Sequence, residues 1–167
     1  MKPIFDLFWQ ICLMRQSPAY VPSDGWFVGL VVVANLLAST IISLALDPDF
    51  SLLDTLTSII VNQAVTAALV LLALSLRNFG NRFITTITAI FGCDLIITAC
   101  FSLLIPVSGL LGEAAVRLAM LMFLIWSVAV AGFIMHRALQ IQLAIGIGVA
   151  MGISLMSVTF SQLAIGG

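Results

Sequence analysis

Five stretches of about twenty almost unbroken apolar residues leave this chain very few folds to choose from. They run over residues 26–46, 56–76, 83–105, 114–135 and 141–162, separated by short connectors rich in Pro, Gly and charge. Each reaches the length needed to cross about 30 Å of hydrocarbon as a helix. The rest of the chain could not clothe such segments in water. Of 167 residues, 62% are hydrophobic and 8% charged, whereas a soluble domain carries about 25% charged residues. The expected fold class is therefore an all-α integral membrane protein of five transmembrane helices with no soluble domain.

The chain ahead of the first span reads differently. Residues 4–14 form an amphipathic pattern in which Lys2, Asp6 and Gln10 share one narrow strip at 100° per residue. Ile4, Phe5, Phe8, Ile11 and Cys12 cover the opposite face, with Trp9 at its edge. A wide apolar arc with aromatic residues predicts a helix lying in the membrane interface. Pro18 and Pro22 then break the chain, and Ser23 is the expected N-cap of the first span. This divides the sequence into an interfacial helix with its connector, 1–25, and a bundle, 26–167. The opening has one lysine, then Asp6, Gln10 and Arg15, without a small-residue cleavage site, so a secretory signal is not expected. In the second connector Ser51 and Asp54 have capping-box spacing.

Basic residues set the expected orientation. With the N-terminus inside, Lys2, Arg15, Arg77, Arg82 and Arg137 fall on the cytoplasmic side and only Arg117 on the other. That bias predicts N-in and C-out, and the short leader with no expected targeting signal favours the inner membrane of a bacterium. The net charge of −1 offers no field for nucleic acid.

Asp94 is the residue in the spans that most demands an explanation. It lies near the midplane of the third, where an unpaired charge costs about 2.5–3.5 kcal/mol on insertion scales, so it should face the bundle interior. Asn35, Asn62 and Gln63 reach comparable depth, and Arg117, near the start of the fourth span, is long enough to lean toward Asp94. Two uses of such a cluster are open. It can form a proton or ion relay, or a buried clasp that sets helix register. In the fifth span Ala144, Gly148 and Gly152 repeat at intervals of four, with Gly146 beside them. That spacing suits close helix approach, within the chain or as an oligomer seam.

Constellations for catalysis are not found. His136 is the one histidine, no HExxH or GxSxG occurs, and Asp94 lacks the second intramembrane acid that an aspartyl protease requires. Neither metal nor cofactor is expected. Cys93 and Cys100 stand about 10 Å apart along one helix, too far for a disulfide, and with Cys12 they are expected to act as small packing residues.

The segment SPAYVPSDGW before the first span, NRFITTITAIFG entering the third and IWSVAVAGFIMHRAL closing the fourth resemble the bacterial branch of the Yip-type (Ypt-interacting-protein) membrane family. The likeness covers nearly the whole chain and implies a five-span topology. Eukaryotic members are associated with vesicle trafficking and small GTPases through a long cytosolic N-terminal region, for which residues 1–25 are short. The resemblance supplies no catalytic residues. The leading expectation is a non-enzymatic scaffold, assembly factor or subunit of a membrane complex, with the bilayer and a homo-oligomer or other membrane protein as partners. The alternative is a small transporter or channel component with a polar path past Asp94.

Overall fold

A computed structural model of the chain describes residues 2–46, 51–104 and 113–165. Among them 88% are helical, with no strand. The helices are α1 (Lys2–Cys12), α2 (Gly25–Leu46), α3 (Leu52–Leu76), α4 (Phe83–Ser102), α5 (Glu113–Leu139) and α6 (Leu143–Ile165), with 3₁₀ turns at Pro18–Tyr20 and Gly80–Arg82. Helices α2 to α6 are each long and apolar enough to cross a membrane. Asp47, Pro48, Asp49, Ile105 and Pro106 lie outside the described residues.

Local chemistry explains where the helices stop and start. Ser51 caps α3 as expected: its Oγ accepts from the Asp54 amide at 3.1 Å, and Asp54 Oδ2 accepts from the Ser51 hydroxyl at 2.6 Å rather than from its backbone N–H as a full capping box would. Helix α2 begins at Gly25, one residue ahead of the expected span. Asp24 supplies the first carbonyl, accepting from Val28 N, so the cap position falls on Asp24 rather than Ser23. The basic sequence HRALQ also proves mostly helical. His136 to Leu139 complete the last turn of α5, which extends four residues past the expected end.

The spans close into a ring in the order α2, α4, α5, α6, α3 and back to α2. Helix α4 is the inner one. Half of its central window is buried, against 17–28% in the other four, because it also touches α3 and carries α1 on its outer side. Faces turned away from the ring are largely apolar. On α2, Leu30, Val33, Leu37 and Ile41 are exposed, while Val31 and Asn35 point inward. In lipid such faces gain nothing by leaving the solvent, so van der Waals packing and interhelical hydrogen bonds must hold the ring together.

Two glycines let the backbones of α5 and α6 approach closely. A Cβ on Gly132 would stand 2.5 Å from Ile147 Cγ1, and one on Gly146 2.6 Å from the Gly132 carbonyl. By contrast nothing lies within 4 Å of a Cβ built on Gly148 or Gly152, and Ala144 is exposed. The predicted small-residue stripe therefore faces outward, and intramolecular packing uses Gly146 instead. One register step separates the two faces of the helix.

Helix α1 is docked along the bundle. Its apolar arc divides in two: Phe8, Ile11 and Cys12 are buried, whereas Ile4, Phe5 and Trp9 stay exposed. Phe8 sits over Gly92 of α4, where a Cβ would meet its ring at 2.3 Å. The thiols reciprocate across this contact, Cys12 Sγ donating to the Cys93 carbonyl at 3.8 Å and Cys93 Sγ to the Phe8 carbonyl at 3.9 Å. Trp126 of α5 donates its indole N–H to the Cys12 carbonyl at 2.9 Å, satisfying one of the acceptors left open at the end of α1. All three cysteines are free.

Candidate functional site: a polar centre within the spans

Each span sends polar groups toward the middle of the ring. Asn35 of α2 is 2% exposed and holds two neighbours together. Its Nδ2 donates to Asp94 Oδ2 at 2.9 Å and to the Phe91 carbonyl at 3.1 Å. Its Oδ1 accepts from Gln63 Nε2 of α3 at 2.8 Å. The result is a continuous chain of side-chain bonds from α3 through α2 to α4. On the facing side Thr66 of α3 and Ser157 of α6 bond hydroxyl to hydroxyl at 2.9 Å, with Ser157 1% exposed.

Two cavities meet at Asp94. One, of about 260 Å³, lies within the ring and is lined by Asn62, Thr66, Asp94, Ser127 and Ser154 among apolar residues. The other, of about 320 Å³, opens between α2, α4 and α5 and is lined by Ser39, Ser43, Thr98, Asp94 and Ser127. Asp94 and Ser127 belong to both. The carboxylate thus has one oxygen anchored by Asn35 and stands at the junction of two spaces whose largely apolar walls carry several hydroxyls. Such an arrangement can accept a proton or a small cation from either side, because an acid held by a neutral donor keeps its capacity for a charged partner.

Of the cluster expected from the sequence, the structure joins Asn35, Gln63 and Asp94 directly and places Asn62 on the wall of the inner cavity. Arg117 is exposed near the start of α5, and Asp94 takes its hydrogen bond from Asn35 instead. The hydroxyl residues Thr66, Ser127, Ser154 and Ser157 were not singled out from the sequence. A serine or threonine in a span commonly bonds back to its own helix, as Thr40 does to the Leu36 carbonyl at 2.8 Å and Thr88 to the Ile84 carbonyl at 2.7 Å. A hydroxyl alone therefore gives little signal about which way it serves.

Fold and site together define a multi-pass helical membrane protein with a polar centre. Comparison with protein-family models, curated proteins and solved structures yields no match to this chain.

Proposed function

We propose that the chain is a small transporter or channel component that passes a proton or small cation by way of Asp94. The observation that carries this reading is the position of that carboxylate at the junction of two cavities whose largely apolar walls each carry hydroxyl groups, with the Asn62 carboxamide in one of them. An intramembrane acid facing a cavity is, by default, a candidate member of an ion or proton pathway. In this reading Asn35 and Gln63 orient the carboxylate, while Asn62, Thr66 and Ser127 offer oxygens along the way. The N-terminus is inside, at the end where Arg15, Arg77, Arg82 and Arg137 gather, in a bacterial inner membrane. A place in the Yip-type family would supply the five-span topology and say nothing about the site.

The test is flux from purified protein reconstituted in vesicles, followed with an internal pH dye and with monovalent cations. Wild type should carry one of them, and Asp94→Asn, which keeps a polar group of the same shape, should abolish it with the helical signal unchanged. Silence from wild type, or full flux from the variant, would leave Asp94 as a register clasp.

One observation favours a second reading, that of a scaffold, assembly factor or subunit. Ala144, Gly148 and Gly152 turn outward with open space above both glycines, which suits close approach of another transmembrane helix. Mild-detergent purification with mass analysis of the intact particle distinguishes a defined assembly from a monomer.

A further inference from the structure

The end of the bundle opposite Leu46 and Ser51 holds a cleft that the polar centre does not use. It has a volume of about 560 Å³. Three separate parts of the chain build it: Ser17 and Pro18 after α1, Asn81, Arg82 and Thr85 entering α4, and His136 and Arg137 at the end of α5. Two of these residues are arginines and none of the lining is Asp or Glu.

The arginines are positioned by neutral groups. The Arg82 guanidinium lies over the Phe79 ring at 4.7 Å, and its Nη1 donates to the Ala138 carbonyl at 3.4 Å. The Gln140 carboxamide, with its oxygen turned toward Arg82, accepts from both Nη atoms at 3.1 Å. Arg137 lies over the Phe133 ring at 5.4 Å. Aromatic faces and amide oxygens fix the direction of a guanidinium without neutralising it. Two oriented positive charges therefore border one cleft, and no carboxylate in its wall offsets them.

We propose that this cleft binds a phosphate ester. Arginines from two separate parts of the chain, with Ser17 and Thr85 in the same wall, can address an oxyanion from several directions, as a tetrahedral phosphate requires and a planar carboxylate does not. The Thr86 hydroxyl is already committed to the Arg82 carbonyl at 2.8 Å, which leaves Thr85 as the available hydroxyl of that pair. The volume exceeds what a bare phosphate fills and leaves room for an alcohol substituent. Two sources share this chemistry: the headgroup of an anionic phospholipid, since basic clefts at span ends lie at headgroup depth, and a soluble phosphate monoester.

The experiment uses the full chain in mild detergent and has two arms. Native mass spectrometry measures retention of phosphatidylglycerol against diacylglycerol, which lacks the phosphate. Calorimetry measures binding of inorganic phosphate and glycerol 3-phosphate. Each arm is run on wild type, Arg82→Gln, Arg137→Gln and Arg77→Gln; Arg77 is exposed and outside the cleft wall. A ligand should bind in one arm and weaken about tenfold or more in Arg82→Gln and Arg137→Gln, but not in Arg77→Gln. Retention of phosphatidylglycerol alone identifies the headgroup, and heat with glycerol 3-phosphate beyond that with inorganic phosphate identifies a soluble ester. Arg137 is exposed, so its variant reports on binding even if the Arg82 variant misfolds. No binding in either arm, equal retention of diacylglycerol, or equal loss in all three variants overturns the proposal.

Discussion

Asn35 spends both of its amide hydrogens inside the bundle, donating to Asp94 and to the Phe91 carbonyl, while its oxygen accepts from Gln63. Replacing it with Leu removes three bonds at once and leaves Asp94 and Gln63 facing apolar neighbours. Hydrogen bonds between spans are worth about 0.6 kcal/mol each on average, and an orphaned buried partner costs about 1–3 kcal/mol more. Asn35→Leu is therefore expected to lower stability by roughly 2–4 kcal/mol, read from thermal or denaturant melts in detergent. Asn62→Leu should cost far less, since Asn62 lines a cavity without entering that chain of bonds. Equal losses would show that Asn35 is not its hub. Asp94 was legible from the sequence because an acid at that depth has no neutral explanation. Its partner was not, because an arginine and three carboxamides were all within plausible reach, and only the rotation of α5 puts Arg117 on the exposed side.

The helix ends repeat one device. Met14, Asn78 and Gln140 follow α1, α3 and α5 with φ of 57°, 58° and 54°. In each case the next amide reaches back to the carbonyl five residues earlier: Arg15 to Gln10, Phe79 to Leu74 and Ile141 to His136, at 2.9, 2.8 and 3.2 Å. This is the Schellman closure, which normally employs Gly at the left-handed position. Asn tolerates that conformation, whereas Met and Gln carry a penalty of about 1–2 kcal/mol. Met14→Gly should accordingly raise the melting temperature of the purified protein, and Met14→Val should lower it. No glycine marked these stops, so they could not be placed to the residue from sequence. Helix packing makes a second contrast. Gly146→Ala and Gly132→Ala force backbone atoms apart and should destabilise the α5–α6 pair by about 1–3 kcal/mol, the usual cost of overpacking. Gly148→Ala and Gly152→Ala meet open space and should leave monomer stability unchanged or slightly improved, since Ala favours the helix.

The whole molecule presents a belt of exposed aliphatic side chains, with Tyr20 and Trp26 exposed at the end where the basic residues gather, as residues of the membrane–water boundary do. The outward stripe on α6 interrupts that belt with small residues. Gly148→Leu combined with Gly152→Leu should leave the secondary structure and melting behaviour of the chain intact while dispersing an assembly built on the stripe, as measured by the mass of the particle in nanodiscs. An unchanged mass would remove the stripe from consideration as a seam. Helix α1 belongs to this scale too, because it completes the outside of α4. Trp126→Phe deletes the indole bond to the Cys12 carbonyl but keeps most of the ring's bulk. It should speed proteolysis within 2–14 without unfolding the spans.

Length and hydropathy alone determined that the chain makes five spans and that an amphipathic helix precedes them, since a backbone in hydrocarbon must satisfy its own hydrogen bonds and twenty apolar residues leave it only the helix. The depth of Asp94 followed as directly, because rise per residue is constant. Tertiary structure decided everything that depends on how each helix is turned about its axis. Every span is apolar nearly all round, so periodicity gives no inward face. Whether Gly146 or Gly148 meets α5, whether Asp94 finds Asn35 or Arg117, and which half of α1 is covered are settled by packing between helices. Contacts far apart in the chain choose among rotations that the sequence of a single span leaves nearly equal in energy.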